Sequence, residues 1–260
     1  MADERVAAAA AWIAEARLAR RAIGPRPDLT TIELGYQVQQ AANALLEQQL
    51  GPRVGHKIGG TTAPMRAYLN LPEPVGGEIF ATTVFPDGAT LRLADYRRPG
   101  IETEIAVRLG QELPPQDDLY TPEDVAAAVD EVMAAIEVVD DRYEDFRTLG
   151  APTLVADNAF DAGSVLGHAV RDLNPMDTGR LEARTLVDGR EVATGLSDLL
   201  LGHPMDALAW LANRRSSLGL GLEAGSFVSL GSITPVQWID RPAAFRIEVE
   251  ALGAVELRFT

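Results

Sequence analysis

Three glutamates have the spacing to share one cation. Glu102 and Glu104 are two residues apart in an alternating run, so on a β-strand both point to the same side, about 6.6–6.8 Å apart along the chain. Glu137 lies in the apolar run 134–139, and a buried carboxylate is costly unless it is paired or binds a metal. Hard divalent cations prefer carboxylate oxygens. The spacing is therefore compatible with an all-oxygen site for Mg²⁺ or Mn²⁺.

The same glutamates also fit an interpretation without a metal. In that interpretation, Glu102 and Glu104 form a solvated face of their strand, and Glu137 is neutralised by Arg108 or Arg142. Exposed strand faces and buried ion pairs both place acids at such positions. Spacing alone leaves the two interpretations open.

The only lysine of the chain is a second candidate for chemistry. Of the 23 basic residues, all except Lys57 are arginine. Arginine presents a broad fork that stays charged, whereas the lysine ammonium is compact and can shift its pKa and transfer a proton. The pattern indicates that Lys57 has a role that arginine cannot fill. A surface lysine without a function is the alternative.

Composition narrows the class of protein. The 260 residues contain 38 acids and 23 bases, which gives a net charge of −15 and argues against nucleic acid as a partner. The absence of cysteine excludes disulfides, thiolate metal sites and thiol nucleophiles. No run approaches about 20 apolar residues, and the first residues lack the layout of a secretory signal. We therefore expect a cytoplasmic enzyme or binding protein that does not enter a membrane.

The elements that position these groups change in character along the chain. The first third has helix-forming patterns, and the predicted helices are 2–23, 31–50 and 63–69. After residue 76, short strands alternate with turns, and the strands 101–109 and 135–140 carry the three glutamates. Strands outnumber helices there and do not alternate strictly with them. The pattern therefore favours an α+β fold over a doubly wound sheet.

Local signals predict three further features. Thr121 and Pro122 begin a helix that we expect to continue to about Met133 before the strand 135–140. Asp188-Gly189 is typical of a tight hairpin turn. His203 directly precedes a helix that begins at Pro204, so we expect it to cap or pack against that helix rather than to act in catalysis.

Several motifs resemble, in order, those of one enzyme family. Gly55-His56-Lys57-Ile58-Gly59 resembles its G-x-K-[IV]-G segment, PGIETEIA at 99–106 its P-x-x-E-x-E-I-A strand, and IEVVDDR at 136–142 its E-[IV]-V-x-[SG]-R element. Further matching runs are 155–159, 201–204, 210–212, 224–225 and 258–259. On these residues, nearly the whole chain resembles the 2-keto-4-pentenoate hydratase / 4-oxalocrotonate decarboxylase family of the fumarylacetoacetate hydrolase superfamily.

The resemblance implies a site and a fold. Glu102, Glu104 and Glu137 would be the ligands of Mg²⁺ or Mn²⁺, and Lys57 a catalytic cation beside them. The implied fold is α+β, a mixed β-roll of the fumarylacetoacetate hydrolase type. A helical N-terminal portion, 1–75, and a catalytic β-roll, 76–260, would form one continuous unit. The resemblance also implies a homo-oligomer and leaves open a heteromeric association with a related decarboxylase or hydratase.

Some positions depart from the family pattern. Thr82 and Thr153 stand where the family has aspartates, and Phe160 stands where it has a serine. Threonine is a poor base, and phenylalanine has no polar side-chain atom. The resemblance places Thr82, Asp157 and Phe160 in the substrate pocket and Arg142 behind the metal ligands. It therefore implies an intact metal platform with altered proton-handling residues around it.

The implied activity is that of a divalent-metal-dependent lyase. A hydratase that acts on a 2-oxo or 2-hydroxydienoic acid through a metal-stabilised enolate ranks first, with aromatic catabolism as its setting. A decarboxylase of an oxalocrotonate-like vinylogous keto acid ranks second, since the loss of CO₂ needs no base to activate water. A divergent biosynthetic isomerase or cyclase and an inactive binding homologue are the remaining alternatives.

Overall fold

The computed structural model describes residues 2–260. Its helices are α1 Ala2–Leu18, α2 Ile32–Leu50, α3 Ala63–Leu69, α4 Pro122–Ala127, α5 Ala151–Ala156 and α6 Pro204–Ser217. Its strands are β1 Arg53–Gly59, β2 Val75–Phe80, β3 Val84–Phe85, β4 Ala89–Leu91, β5 Pro99–Leu109, β6 Val129–Asp140, β7 Asp161–Leu166, β8 Glu182–Val187, β9 Arg190–Leu196, β10 Phe227–Ser232, β11 Gln237–Trp238, β12 Ala243–Val249 and β13 Gly253–Phe259. The predicted α+β class is confirmed.

The strands form two sheets with a shared core. The larger sheet has the order β2-β1-β10-β5-β6-β7-β3, with β11 paired to β5, and the smaller has the order β4-β13-β12-β8-β9. Strands β5 and β6 are the longest and pair antiparallel in the larger sheet. Ile105 and Val107 of β5 belong to the same buried cluster as Ile247 and Val255 of the smaller sheet. The two glutamate-bearing strands thus lie at the core that the two sheets share.

The segment after Thr121 differs from its predicted structure. Thr121 and Asp124 form a capping box, but α4 ends at Ala127 instead of continuing to Met133. Residues 129–134 belong to β6 and extend its pairing with β5. The apolar residues Val129, Val132 and Met133 have the i, i+3, i+4 spacing of a helix face, so the local pattern did not indicate a strand. The predicted helix end was therefore wrong.

Helix α2 ends at its predicted residue, whereas α1 ends five residues before its predicted end. The side chain of Thr31 accepts a hydrogen bond from the Leu34 N–H and caps α2, which ends at Gly51 with a φ of 75°. Helix α1 ends at Leu18 rather than Ile23, because Ile23 forms a β-bridge with Tyr143. Within residues 2–260, no helix is long and apolar enough to cross a membrane.

The predicted boundary at residue 75, the hairpin turn at Asp188-Gly189 and His203 can each be located in the structure. The predicted boundary between 1–75 and 76–260 falls at the start of β2, and β1, on the helical side of it, pairs with β2 and β10. Asp188 and Gly189, at φ 50° and 77°, join β8 to β9 as a hairpin, as predicted. The Nδ1 of His203 accepts a hydrogen bond from the Met205 N–H at 3.0 Å, so its capping role is confirmed.

Candidate metal and substrate site

The pairing of β5 with β6 brings the three glutamates together. Glu102 lies directly opposite Glu137 in the antiparallel register, and Glu104 is two residues further along β5. One carboxylate oxygen of each residue lies within 4.8 Å of the others. Glu104 and Glu137 are buried, whereas Glu102 is partly exposed to a cavity. Like charges directly opposite on paired strands repel, so this register requires a compensating positive charge.

Lys57 reaches the same point from a distant strand. β1 is separated from β6 by β10 and β5, a distance of about 14 Å or more across a flat sheet. The Nζ of Lys57 nevertheless lies 2.8 Å from Glu137 Oε1 and donates a hydrogen bond of 2.8 Å to the Ala159 carbonyl. Only a curled sheet allows this contact. The curl therefore places the sole lysine beside the carboxylates.

The arginine partners considered for Glu137 are engaged elsewhere. Arg108 pairs with Glu131 at 2.9 Å, and Arg142 pairs with Asp157 at 2.9 Å. Glu137 instead pairs with Lys57. The interpretation that neutralises Glu137 with an arginine is therefore wrong, and so is a fully solvated face for Glu102 and Glu104, because Glu104 is 0% exposed.

The pKa values of all four charged groups at the site are raised. Burial, followed by the charge of Glu104, raises the pKa of Glu102 to about 7. Burial also raises the pKa of Glu104 and, more strongly, that of Glu137. For Lys57, burial lowers the pKa, but the charges of Glu137 and Glu102 outweigh it and the net shift is upward. The pocket thus holds more negative charge than one ammonium can compensate.

The donor set fits a divalent cation. Glu104 Oε1 and Glu137 Oε2 are buried and have no hydrogen-bond partner. Three carboxylates and one ammonium leave two excess negative charges, which a divalent cation would balance. Unpaired buried charges are costly, and an all-oxygen set suits Mg²⁺ or Mn²⁺. The residues present therefore fit the metal that the sequence predicts.

Backbone and hydroxyl groups hold Glu104 in place. The Ser229 hydroxyl and the Gly231 N–H both donate to Glu104 Oε2, the latter at 3.1 Å. Gly231 has a φ of 113°, and a Cβ there would lie 2.3 Å from Thr61 Oγ1. Only glycine therefore allows this backbone to approach the carboxylate. Neither Ser229 nor Gly231 had a sequence signal that linked it to the site.

Lys57 and Glu102 line a cavity of about 400 Å³. Its other polar side chains are hydroxyls, those of Thr61, Thr62, Ser232 and Thr234 besides the Tyr68 phenol. Most of the remaining wall is apolar, and it includes Ile58, Met65, Leu69, Val75, Val139, Phe146, Phe160, Leu199, Ile233, Val236 and Trp238. A largely apolar cavity with a few convergent polar groups is typical of a small-molecule site.

Of the residues predicted to line the substrate pocket, only some lie at the cavity. Phe160 lines the cavity, as the sequence predicts. Thr82 is exposed and donates a hydrogen bond of 2.9 Å to the Leu50 carbonyl, so its assignment to the pocket is corrected. Asp157 is buried behind the wall, where it pairs with Arg142. Arg142 supports the segment beside the cavity rather than the glutamates, since it also donates to the Asp161 carbonyl at 2.8 Å.

A strained segment that sequence reasoning missed forms part of this wall. Asn158, Ala159 and Phe160 have φ values of 55°, 45° and 69°, in the left-handed region that costs most residues energy. The Asn158 Oδ1 accepts the Glu78 N–H at 3.1 Å, and its Nδ2 donates to Asn43 Oδ1 at 2.7 Å. The D-N-A run that carried the resemblance was the only signal, and it did not indicate a backbone role.

Comparisons with known proteins identify the family of this chain. A model of the fumarylacetoacetate (FAA) hydrolase C-terminal family matches residues 56–260. A 2-keto-4-pentenoate hydratase of Burkholderia vietnamiensis is 33% identical over 261 residues, which cover 99% of this chain and 98% of the relative. A 4-oxalocrotonate decarboxylase of a Pseudomonas species is 30% identical over 233 residues, which cover 90% of this chain and 89% of the relative.

A solved structure matches the whole fold. The 4-oxalocrotonate decarboxylase from Pseudomonas putida, complexed with magnesium and adipate, has a TM-score of 0.91 at 29% identity. The match covers 99% of this chain and 98% of that chain, so the expected β-roll type is confirmed. On the family match and on these relatives, the chain belongs to the fumarylacetoacetate hydrolase family.

Proposed function

We propose that this chain is a divalent-metal-dependent lyase, a hydratase that adds water to a 2-oxo or 2-hydroxydienoic acid. The observation that carries the proposal is the convergence of Glu102, Glu104 and Glu137 with Lys57 at one cavity. The relative that is 33% identical over nearly the whole chain bears the name of such a hydratase. The charges of this site suit the activity that the relative's name describes.

Each charged residue has a distinct part in binding. Glu102, Glu104 and Glu137 would hold Mg²⁺ or Mn²⁺, which supplies Lewis-acid stabilisation of negative charge on the 2-oxo oxygen. The Nζ of Lys57 donates a hydrogen bond to the Ala159 carbonyl and forms an ion pair with Glu137 Oε1 at 2.8 Å. Of its three N–H donors, one that Ala159 does not accept can bind the substrate carboxylate. Lys57 also keeps a proton at Nζ within the cavity, since its pKa is raised.

The cavity wall sets where water can act. Apolar side chains such as Val139 and Phe160 exclude water from most of the surface. The hydroxyls of Thr61, Thr62, Tyr68, Ser232 and Thr234 line the same cavity and can accept a hydrogen bond from a water molecule. The added water therefore has these hydroxyls, besides the carboxylate of Glu102, as polar side-chain partners.

A second candidate, a decarboxylase, is favoured by one observation. Phe160 lines the cavity where the family pattern has a serine, and an aromatic ring cannot orient water. Loss of CO₂ needs no oriented water, and the structure with a TM-score of 0.91 is that of a decarboxylase. Product analysis separates the two: the hydratase converts 2-hydroxypenta-2,4-dienoate to a hydroxylated 2-oxo acid without releasing CO₂. The homo-oligomer, the heteromeric partner and the cytoplasmic location stay predictions.

The metal platform is tested by thermal unfolding. We expect Mg²⁺ or Mn²⁺ at about 100 times its Kd to raise the Tm of the metal-free protein by about 5–10 °C. The substitution Glu102→Gln removes one charged ligand and should abolish that increment. Glu131→Gln is the matched control, because Glu131 lies on β6 but pairs with Arg108 and Arg171 away from the site. A wild-type Tm that is indifferent to both metals would end the proposal.

A further inference from the structure

The outer half of the cavity differs from its inner end in chemistry. Lys57 and Glu102 line the inner end, whereas Met65, Val139, Phe146 and Ile233 contribute apolar wall. A volume of about 400 Å³ falls within the range of about 300–1,000 Å³ seen for cavities that hold drug-sized ligands. A pentenoate chelated at the inner end leaves much of this wall uncovered.

The mouth of the cavity exposes large apolar side chains. Among residues whose side chains the structure describes, seven large hydrophobic residues are exposed, and three of them border this cavity. These three, the rim residues, are Tyr68, Leu199 and Trp238, with 57%, 47% and 40% of their surface exposed. Scattered apolar residues on a surface are ordinary, but a cluster continuous with an apolar cavity marks a binding surface.

No basic side chain faces the outer half among the residues that line the cavity. Lys57 is the one basic residue in the lining, and it is paired at the inner end. The arginines that contact lining residues are engaged by other groups: Arg98 stacks on Trp238 and pairs with Asp141, and Arg147 stacks on Phe146 and pairs with Asp145. Arg66 donates to the carbonyls of Gly60 and Thr61. A second carboxylate on the substrate would be desolvated there without a partner.

We propose that the substrate carries an uncharged apolar group, larger than the vinyl end of a pentenoate, at the end remote from its 2-oxo carboxylate. The inference rests on the proposed function and names its substrate class. The 2-oxo carboxylate occupies the inner end beside Lys57. The apolar tail lies along the outer wall and covers Leu199 and Trp238 at the rim.

The experiment measures the binding of unreactive 2-oxo acids by calorimetry, with the full chain in saturating Mg²⁺. Affinity should rise about threefold to fourfold for each methylene from 2-oxobutanoate through 2-oxohexanoate to 2-oxooctanoate. 2-Oxoadipate, which has a carboxylate where 2-oxohexanoate has a methyl group, should bind at least about tenfold more weakly. Oxalate, which has no tail, tests the inner end alone.

A pair of leucines provides the matched variants. Leu199 and Leu18 are each 47% exposed, but only Leu199 borders the cavity. Leu199→Ser should lower the affinity for 2-oxooctanoate about threefold or more and leave that for oxalate unchanged. Leu18→Ser should change neither, and unchanged circular dichroism shows that both variants fold.

The outcomes separate this inference from the function on which it rests. Mg²⁺-dependent oxalate binding without a gain for longer tails, or tight binding of 2-oxoadipate, would overturn the inference and leave the metal site standing. Loss of oxalate binding itself would overturn both. A lower oligomeric mass for Leu199→Ser by light scattering, with no change across the ligand series, would assign the rim to a second copy of the chain and overturn the inference.

Discussion

At the scale of single residues, the pair of Lys57 and Glu137 is better suited to chemistry than to stability. Their side chains are 3% and 1% exposed, so both charges are almost fully removed from water. Replacing a buried ion pair with packed apolar residues is often neutral or stabilising, since desolvation offsets the attraction. The fold therefore tolerates this pair for a purpose other than its own stability, which agrees with a role in binding an anion beside a metal.

The role of the ammonium can be tested by the most conservative charge-preserving change. We expect Lys57→Arg to lower kcat/KM for 2-hydroxypenta-2,4-dienoate at least about 100-fold. The guanidinium is too broad for a position that is 2% exposed between Glu137 and the Ala159 carbonyl. Steady-state kinetics measure the loss, and a retained Mg²⁺-dependent increase in Tm shows that the carboxylates still converge. Activity within about tenfold of wild type would show that any cation suffices.

His56, next to Lys57, makes stability depend on pH. Burial, followed by the charge of Arg215, lowers the pKa of His56 from 6.5 to about 3, with Glu78 opposing and Arg53 adding to the shift. Below pH 6.5, His56 binds a proton in the unfolded chain but stays neutral in the folded chain. Stability from this group is therefore complete above pH 6.5 and is lost progressively as the pH falls towards 3.

The size of this effect gives a direct prediction. The free energy of unfolding should contain a contribution that falls by about 2 kcal/mol between pH 7 and pH 5. Urea titrations of wild type and His56→Gln at both pH values isolate it, because the variant lacks the titrating group. His168→Gln serves as the control, since His168 is exposed. Equal pH dependence in wild type and His56→Gln would refute the assignment.

At the scale of elements, the segment 158–160 shows how strain is held in place. Its left-handed residues lie between β6 and β7, where Lys57 bonds to the Ala159 carbonyl and Arg142 to the Asp161 carbonyl. Side-chain amides complete the support, because Asn43 and Asn158 bond to each other and to Glu78. These contacts hold the Ala159 carbonyl, which accepts the hydrogen bond from Lys57, although the segment is neither a helix nor a strand.

Removing the side-chain amide of Asn158 should destabilise the segment 158–160. We expect Asn158→Ala to lower the free energy of unfolding by about 2–4 kcal/mol, since it leaves buried groups unpaired and puts alanine in a left-handed position. Urea denaturation measures the loss. Asn70→Ala controls for backbone strain alone, because Asn70 has a φ of 52° at the exposed end of α3. A loss no larger than that of the control would remove the supporting role of the amide network.

The strands also explain why the sequence predicted the arrangement of Glu102 and Glu104 better than the pairing of Glu102 with Glu137. The spacing of Glu102 and Glu104 on a strand depends only on local geometry, and the structure places both as expected. The pairing of Glu102 with Glu137 depends on register, which no local pattern in either strand specifies. The helix predicted to Met133 failed because Val129, Val132 and Met133 have helical spacing, whereas pairing with β5 makes this segment a strand.

At the scale of the whole molecule, a buried ion pair joins the N-terminal helices to the larger sheet. Arg17 of α1 pairs with Asp161 at the start of β7, and their side chains are 7% and 0% exposed. Lys57, on the helical side of the predicted boundary, likewise needs β6 for its partner. These contacts support the prediction that 1–75 and 76–260 form one unit, although nothing in the local sequence pairs the residues involved.

Breaking the Arg17 pair tests that unity. We expect Arg17→Met to lower the free energy of unfolding by about 3–5 kcal/mol, because it leaves the Asp161 charge buried and unpaired. The double variant Arg17→Met/Asp161→Asn should recover most of the loss. Arg20→Met, which removes a pair exposed by 56% and 38%, should cost less than about 1 kcal/mol. Separate urea transitions in wild type by circular dichroism and tryptophan fluorescence would contradict a single unit.

The single lysine side chain also provides a position for selective chemical labelling. Among the side chains of this sequence, only that of Lys57 carries a primary amine that an acylating reagent can modify, and it is 2% exposed in the folded chain. Acylation there cancels the charge that Glu137 faces and adds bulk where the cavity ends. If a 2-oxo acid binds as proposed, it covers this amine, and we expect labelling at this one position to slow further when the ligand is added.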